Sequence, residues 1–141
     1  MKKTIKVEGF IYNRKRDEIL AVRKRDLSWG LPSGEVEPDE TMEEALIRAI
    51  KQETNIDISV ANLLHCWERR TAWEHVCTFV FRAFPKGDFV VPKTEEIAFR
   101  VKWLSVALAD DMLPLEYSSL SFLLDATGAH YDHCNEFPAN Q

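Results

Sequence analysis

Apolar and polar positions partly alternate along residues 4–12, TIKVEGFIY, and the pattern predicts a strand with Gly9 inside it as a bulge or a point of close backbone approach. NRKRD at 13–17 reads as a turn, and EILAVRKR at 18–25 as the returning strand of a hairpin. Residues 26–40 hold Gly, Pro, Ser and acids without a period and read as a loop. The period then becomes helical. Met42, Ala45, Leu46, Ala49 and Ile50 share one face, Thr41 and Glu44 have capping-box spacing, and Asn55 supplies a stop. Glu44 and Arg48, four residues apart, can pair along the flank. Two β-like runs at 58–70 and 75–84 follow, joined by RTAWE as a hairpin. After a turn at 85–88, FVVP, EIAFRV and KWLSV read as short extended pieces. Pro114 stands before a second helical pattern at 115–128, with Leu115, Leu120, Phe122, Leu123 and Leu124 apolar and Gly128 closing it.

Strands interrupted by two helices must cover their faces with them, so a layered α/β or α+β domain is expected. At 141 residues the chain fits one domain, 1–141, with 129–141 as a candidate flexible tail. Eighteen basic and 23 acidic residues give a net charge of -5, which argues against a partner made of long nucleic acid or anionic membrane. No signal-peptide core or membrane-length apolar run is read in the sequence, and cytoplasmic residence is the expectation. Cys66, Cys77 and Cys134 have no paired spacing and suggest no disulfide; Cys66 and Cys77 read as core thiols.

At about 100° per residue, Leu46, Ala49, Ile50 and Glu53 cluster near the inward face of the first helix, with Gln52 on its edge. A glutamate there either reaches water from the last turn or needs a partner or cation, because an ionised carboxylate away from water is costly. The preceding LPSGEVEP sharpens the question. Gly34 permits a tight crossing against the helix, so loop backbone and helix side chains can converge on one bound group; the plainer reading is a connecting loop with surface acids.

These residues resemble the Nudix signature: G, five residues, E, seven residues, then R-E-U-x-E-E-x-G-U with U a bulky aliphatic. Gly34, Glu40, Arg48, Ile50, Glu53 and Ile56 fall on matching places, and Leu31 and Pro32 resemble the approach to the loop. The resemblance implies an α/β/α sandwich with a mixed sheet. It also implies hydrolysis of a nucleoside diphosphate derivative with Mg²⁺ or Mn²⁺ held by helix glutamates, a cation that offsets phosphate charge and acidifies water. Two of the three block carboxylates are absent: Ala49 and Gln52 stand where the family has glutamate, and Asn55 where it has glycine. The expected site is therefore degenerate, with weak or unconventional hydrolysis; the alternative is a noncatalytic nucleotide-ligand or protein-binding domain needing no metal. On the resemblance, Glu53, Arg48 and Gln52 are the catalytic candidates. Glu53, Gln52, the Ser33 carbonyl, Glu40 and Glu96 are the metal candidates, with Glu37 and Glu95 as further acids.

Trp29, Trp67 and Arg23 are candidate ligand contacts, for base stacking or phosphate, as are Trp73, Trp103, Lys24, Arg69 and Arg70; tryptophans equally bury against a sheet. His130, His133 and Cys134 offer three donors in the tail, which reads more simply as a partly packed terminus. His75 and Cys77 share a strand face, where core packing accounts for the cysteine. Exposed strands and aromatic residues leave a homodimer open.

Overall fold

A computed structural model describes residues 2–87, 100–113 and 119–136. In chain order the elements are β1 (Lys2–Phe10), β2 (Tyr12–Asn13), β3 (Glu18–Arg23), β4 (Trp29–Gly30), β5 (Ser33–Glu35), α1 (Met42–Thr54), β6 (Ile58–Arg70), β7 (Glu74–Pro85), β8 (Val101–Ser105), α2 (Val106–Met112) and α3 (Leu120–Asp125). One sheet runs β5-β1-β7-β6. It is mixed, since β1 and β7 are parallel while the outer pairs are antiparallel. The second sheet runs β2-β3-β4, with β8 also on β3.

Period-two alternation gives the first sheet two faces. Val7 and Phe81 bury on one face with Leu46 and Ile50 of α1. Val80, next to Phe81, buries on the other face with Phe10, Ala109 of α2, and Leu120 and Leu123 of α3. The result is an α/β fold with helices over two cores. Among the described residues no helix is long and apolar enough to cross a membrane.

Helix α1 forms as its pattern predicts. Thr41 Oγ1 accepts from the Glu44 N–H at 3.2 Å, and Glu44 Oε1 accepts from the Thr41 N–H at 3.3 Å. Asn55 ends the helix in left-handed geometry at φ 61°, its N–H donating to the Lys51 carbonyl. Gly9 is a point of close approach: its N–H donates to the Pro32 carbonyl at 2.9 Å, and a Cβ there would lie 2.7 Å from Ile50 Cδ1. The hairpin also forms, with Thr71 Oγ1 accepting from the N–H groups of Trp73 and Glu74.

Four readings need correction. The loop at 26–40 contains β4 and β5, too short to carry a period but fixed by pairing with β3 and β1. Val106, read as the end of the extended KWLSV, instead opens a helix over Val106–Met112, capped by the Ser105 side chain on the Leu108 N–H. The described part of the second predicted helix ends at Asp125, and Gly128, at φ 83°, instead precedes the Leu63–Ala129 bridge. Cys66 is exposed and Cys77 half-buried, so neither is a core thiol; all three cysteines are free. FVVP, most of EIAFRV, and residues 114–118 lie outside the described residues.

Residues 129–136 return across α1. Tyr131 packs edge-on to Phe81 at 4.9 Å, and its hydroxyl accepts from the Glu43 N–H at 3.4 Å. Asn135 donates to Glu44 at 2.8 Å.

Candidate functional site

Strand β5 is pinned between β1 and α1. Gly34 pairs with Val7, and a Cβ on it would stand 2.5 Å from the Ala49 Cβ, so the strand reaches the helix only where both residues are this small. The crossing delivers Ser33 to the end of α1. The Ser33 N–H donates to Glu53 Oε1 at 2.8 Å.

The second oxygen of Glu53 faces an ammonium. Lys24 Nζ lies 3.9 Å from Glu53 Oε2, and donates to the Leu31 carbonyl at 2.8 Å and to Ser33 Oγ at 2.9 Å. Burial pulls the Lys24 pKa below the ordinary lysine value, with the Glu53 carboxylate opposing the shift. Three oxygens, two from the 31–33 stretch and one from α1, thus surround one lysine nitrogen. Glu53 has its partners without being stranded in the core; its side chain is 31% exposed.

Arg48 serves the loop. Its Nε donates to Glu40 Oε2 at 2.6 Å and its Nη2 to Glu40 Oε1 at 2.9 Å, a two-pronged pair; Nη2 also reaches the Glu35 carbonyl at 2.8 Å. Its Nη1 donates to Gln52 Oε1 at 3.1 Å. The guanidinium holds the Glu40 carboxyl below its ordinary pKa. The Glu44 carboxylate, expected to pair with Arg48, accepts from the Thr41 N–H and from Asn135 instead.

Among the described residues, the side chains that are candidate ligands of a divalent ion are mostly turned to other partners. A hard dication needs several oxygen ligands, preferably anionic. Ala49 offers no oxygen, the Gln52 amide oxygen is taken by Arg48, and both Glu40 oxygens accept hydrogen bonds from Arg48 or from the Glu37 N–H. Of the helix side chains, Glu53 keeps a carboxylate, and the Lys24 ammonium lies 3.9 Å from it. Glu95 and Glu96 lie outside the described residues.

A cleft of about 540 Å³ opens beside this centre. Its floor is the sheet face turned from α1: Thr4, Lys6 and Glu8 of β1, Glu74, Val76 and Thr78 of β7, and Trp67 and Arg69 of β6, brought abreast by the register. Lys24, Trp29, Ser33 and Gly34 stand along its rim. Trp67 Nε1 and Thr78 Oγ1 are buried without a hydrogen-bond partner, an arrangement costly unless something else supplies one. Trp29 also packs on the core and holds Lys102 Nζ 5.5 Å from its ring centre.

Of the residues singled out from sequence, the fold gathers Glu53, Ser33, Trp29 and Trp67 at or beside the cleft, and directs Arg48, Gln52 and Glu40 to one another. Arg23 pairs with Trp29 across β3 and β4 and is not among the cleft-lining residues. The cation at the centre is its neighbour Lys24. Strand alternation separates the two, but adjacent basic residues carry no mark of which one turns inward.

The chain matches the model of the NUDIX domain over residues 2–123. It is 30% identical over 129 residues to a MutT-like protein of Streptomyces ambofaciens, covering 90% of this chain and 80% of the relative. It is 36% identical over 89 residues to the human 8-oxo-dGDP phosphatase NUDT18, covering 60% of this chain but spanning only 27% of that protein's length. Among solved structures, a NUDIX hydrolase from Nitrosomonas europaea superposes with a TM-score of 0.67 at 20% identity, over 88% of each chain, a likeness of fold.

Proposed function

The chain belongs to the Nudix family, and on that premise we propose that it binds a nucleoside diphosphate derivative in the cleft over β1, β6 and β7 and hydrolyses it slowly, without the divalent-ion cluster its family generally uses. The observation that carries this reading is the Lys24 ammonium, held by the Leu31 carbonyl, Ser33 Oγ and Glu53 where the helix meets the loop. A fixed ammonium offsets phosphate charge and so supports binding. Unlike a metal ion, it has no open coordination position on which water becomes acidic, so it gives little help to cleavage.

The cleft supports the same reading. Lys6, Lys24 and Arg69 line it for phosphate, and Trp29 and Trp67 line it for a flat ring. The human relative's name makes 8-oxo-dGDP a sensible member of the ligand panel.

Calorimetry with such a panel in EDTA, followed by product assays with Mg²⁺ or Mn²⁺, tests the proposal. Binding in EDTA with slow turnover in either metal is expected. Binding that requires metal, or rapid metal-dependent turnover abolished by Glu53→Gln, overturns it.

A further inference from the structure

The sheet face opposite the cleft carries a second group of donors. Glu68 of β6 stands directly across from Cys77 of β7, and His75 lies two residues along β7 on the same face. Glu68 Oε2 is 2.6 Å from His75 Nε2, and Cys77 Sγ is 4.0 Å from the first and 3.9 Å from the second. All three ligand atoms lie within 4.8 Å of one another, the one such group among the described residues.

We infer that Glu68, His75 and Cys77 form a zinc site, with a fourth position open to water. Zinc takes nitrogen or oxygen at about 2.0–2.2 Å and sulfur at about 2.3 Å, which places tetrahedral ligand atoms roughly 3.3–3.8 Å apart. The two sulfur separations need to close by tenths of an ångström, and the Glu68–His75 separation needs to open. Glu68 is 67% exposed at its side chain and free to make that adjustment. Thiolate and carboxylate bring two negative charges to a dication, and the Cys77 thiol proton leaves to solvent on binding. Thiolate and imidazole select zinc over magnesium, so this site differs in chemistry from any oxygen-ligand centre near Glu53.

The placement also gives the metal a task. Trp67, Arg69, Glu74 and Val76 alternate with the three donors and line the cleft on the other face. A zinc ion tying β6 to β7 at the turn end of the hairpin fixes the strands that carry that wall. This inference does not depend on the proposed activity.

Cobalt in place of zinc tests it, in a Cys66→Ser/Cys134→Ser chain that removes the two competing thiols. Both positions are exposed, so the fold tolerates the changes. One equivalent of Co²⁺ should bind with a near-ultraviolet thiolate-to-cobalt band that Zn²⁺ displaces. Cys77→Ser should abolish the band, and His75→Gln and Glu68→Gln should each weaken binding about tenfold or more, with circular dichroism unchanged. Zn²⁺ should raise the melting temperature of the parent chain and leave that of Cys77→Ser unmoved. Absence of the band, its survival in Cys77→Ser, or an affinity indifferent to His75→Gln overturns the inference.

Discussion

Gly34 and Ala49 touch across the β5–α1 crossing, and no side chain larger than hydrogen fits at position 34: a Cβ there would sit 2.5 Å from the Ala49 Cβ. Neither atom belongs to a flexible side chain, so relief requires a backbone shift. Gly34→Ala should therefore cost about 1–3 kcal/mol in urea unfolding, by overpacking alone. Because the shift moves Ser33, the variant should also lose nucleotide affinity in calorimetry.

Ala49 is 3% exposed, so a carboxylate placed there has little water around it. The Ala49→Glu/Gln52→Glu chain should be less stable than the parent in EDTA by about 2 kcal/mol and recover with Mn²⁺, as the ion compensates the buried charge. Its Mn²⁺ affinity, read from the electron-spin signal of the free ion, should exceed the parent's by about tenfold or more. Turnover gained with that affinity would assign the proposed slow chemistry to missing ligands. Affinity gained without turnover would assign it to the shape of the cleft.

Removing the ammonium should separate two roles of charge. Lys24→Met leaves Glu53 with only the Ser33 N–H among the partners described above. Mn²⁺ should then bind about tenfold more tightly, since the repelling charge 3.9 Å away is gone. Nucleotide binding in EDTA should weaken by a similar factor. Calorimetry on the two ligands separately reads both changes, and their opposite signs distinguish this outcome from general loss of folding.

Arg48 holds the Glu40 carboxyl below its ordinary pKa, chiefly through its hydrogen bonds. A depressed carboxyl contributes stability above its unfolded pKa of about 4.3, and the contribution fades as pH falls through the lower folded value. Glu40→Gln should lower stability at pH 7 by about 1 kcal/mol. The gap from the parent should narrow as pH falls below about 4, followed by urea midpoints across that range.

The elements legible in the sequence are those whose signals are local. Thr41, Glu44 and Asn55 mark α1 by neighbours within one turn, and Thr71 marks the hairpin in the same way. Strands β4 and β5 are held by partners on β3 and β1, so nothing inside two or three residues announces them. Helix α2 escapes because it buries only Val106 and Ala109, too few for a period. In the site, Glu53 stands out as a carboxylate on an apolar face. Its partner Lys24 does not, because the contact joins the end of β3 to the end of α1. Glu40 and Arg48 are visible as residues of a motif, whereas their grip on each other is a property of the folded loop.

The parallel pairing of β1 with β7 sets Lys2 against Glu74 and Phe10 against Arg82. During synthesis, the first of these strands leaves the ribosome long before the second exists. Its inner edge must stay unpaired while the signature helix and all of β6 are being made, and parallel pairs of such sequence separation close slowly. The apolar Val7, Phe10 and Ile11 are thus exposed to aggregation, or to chaperone capture, until translation reaches the hairpin.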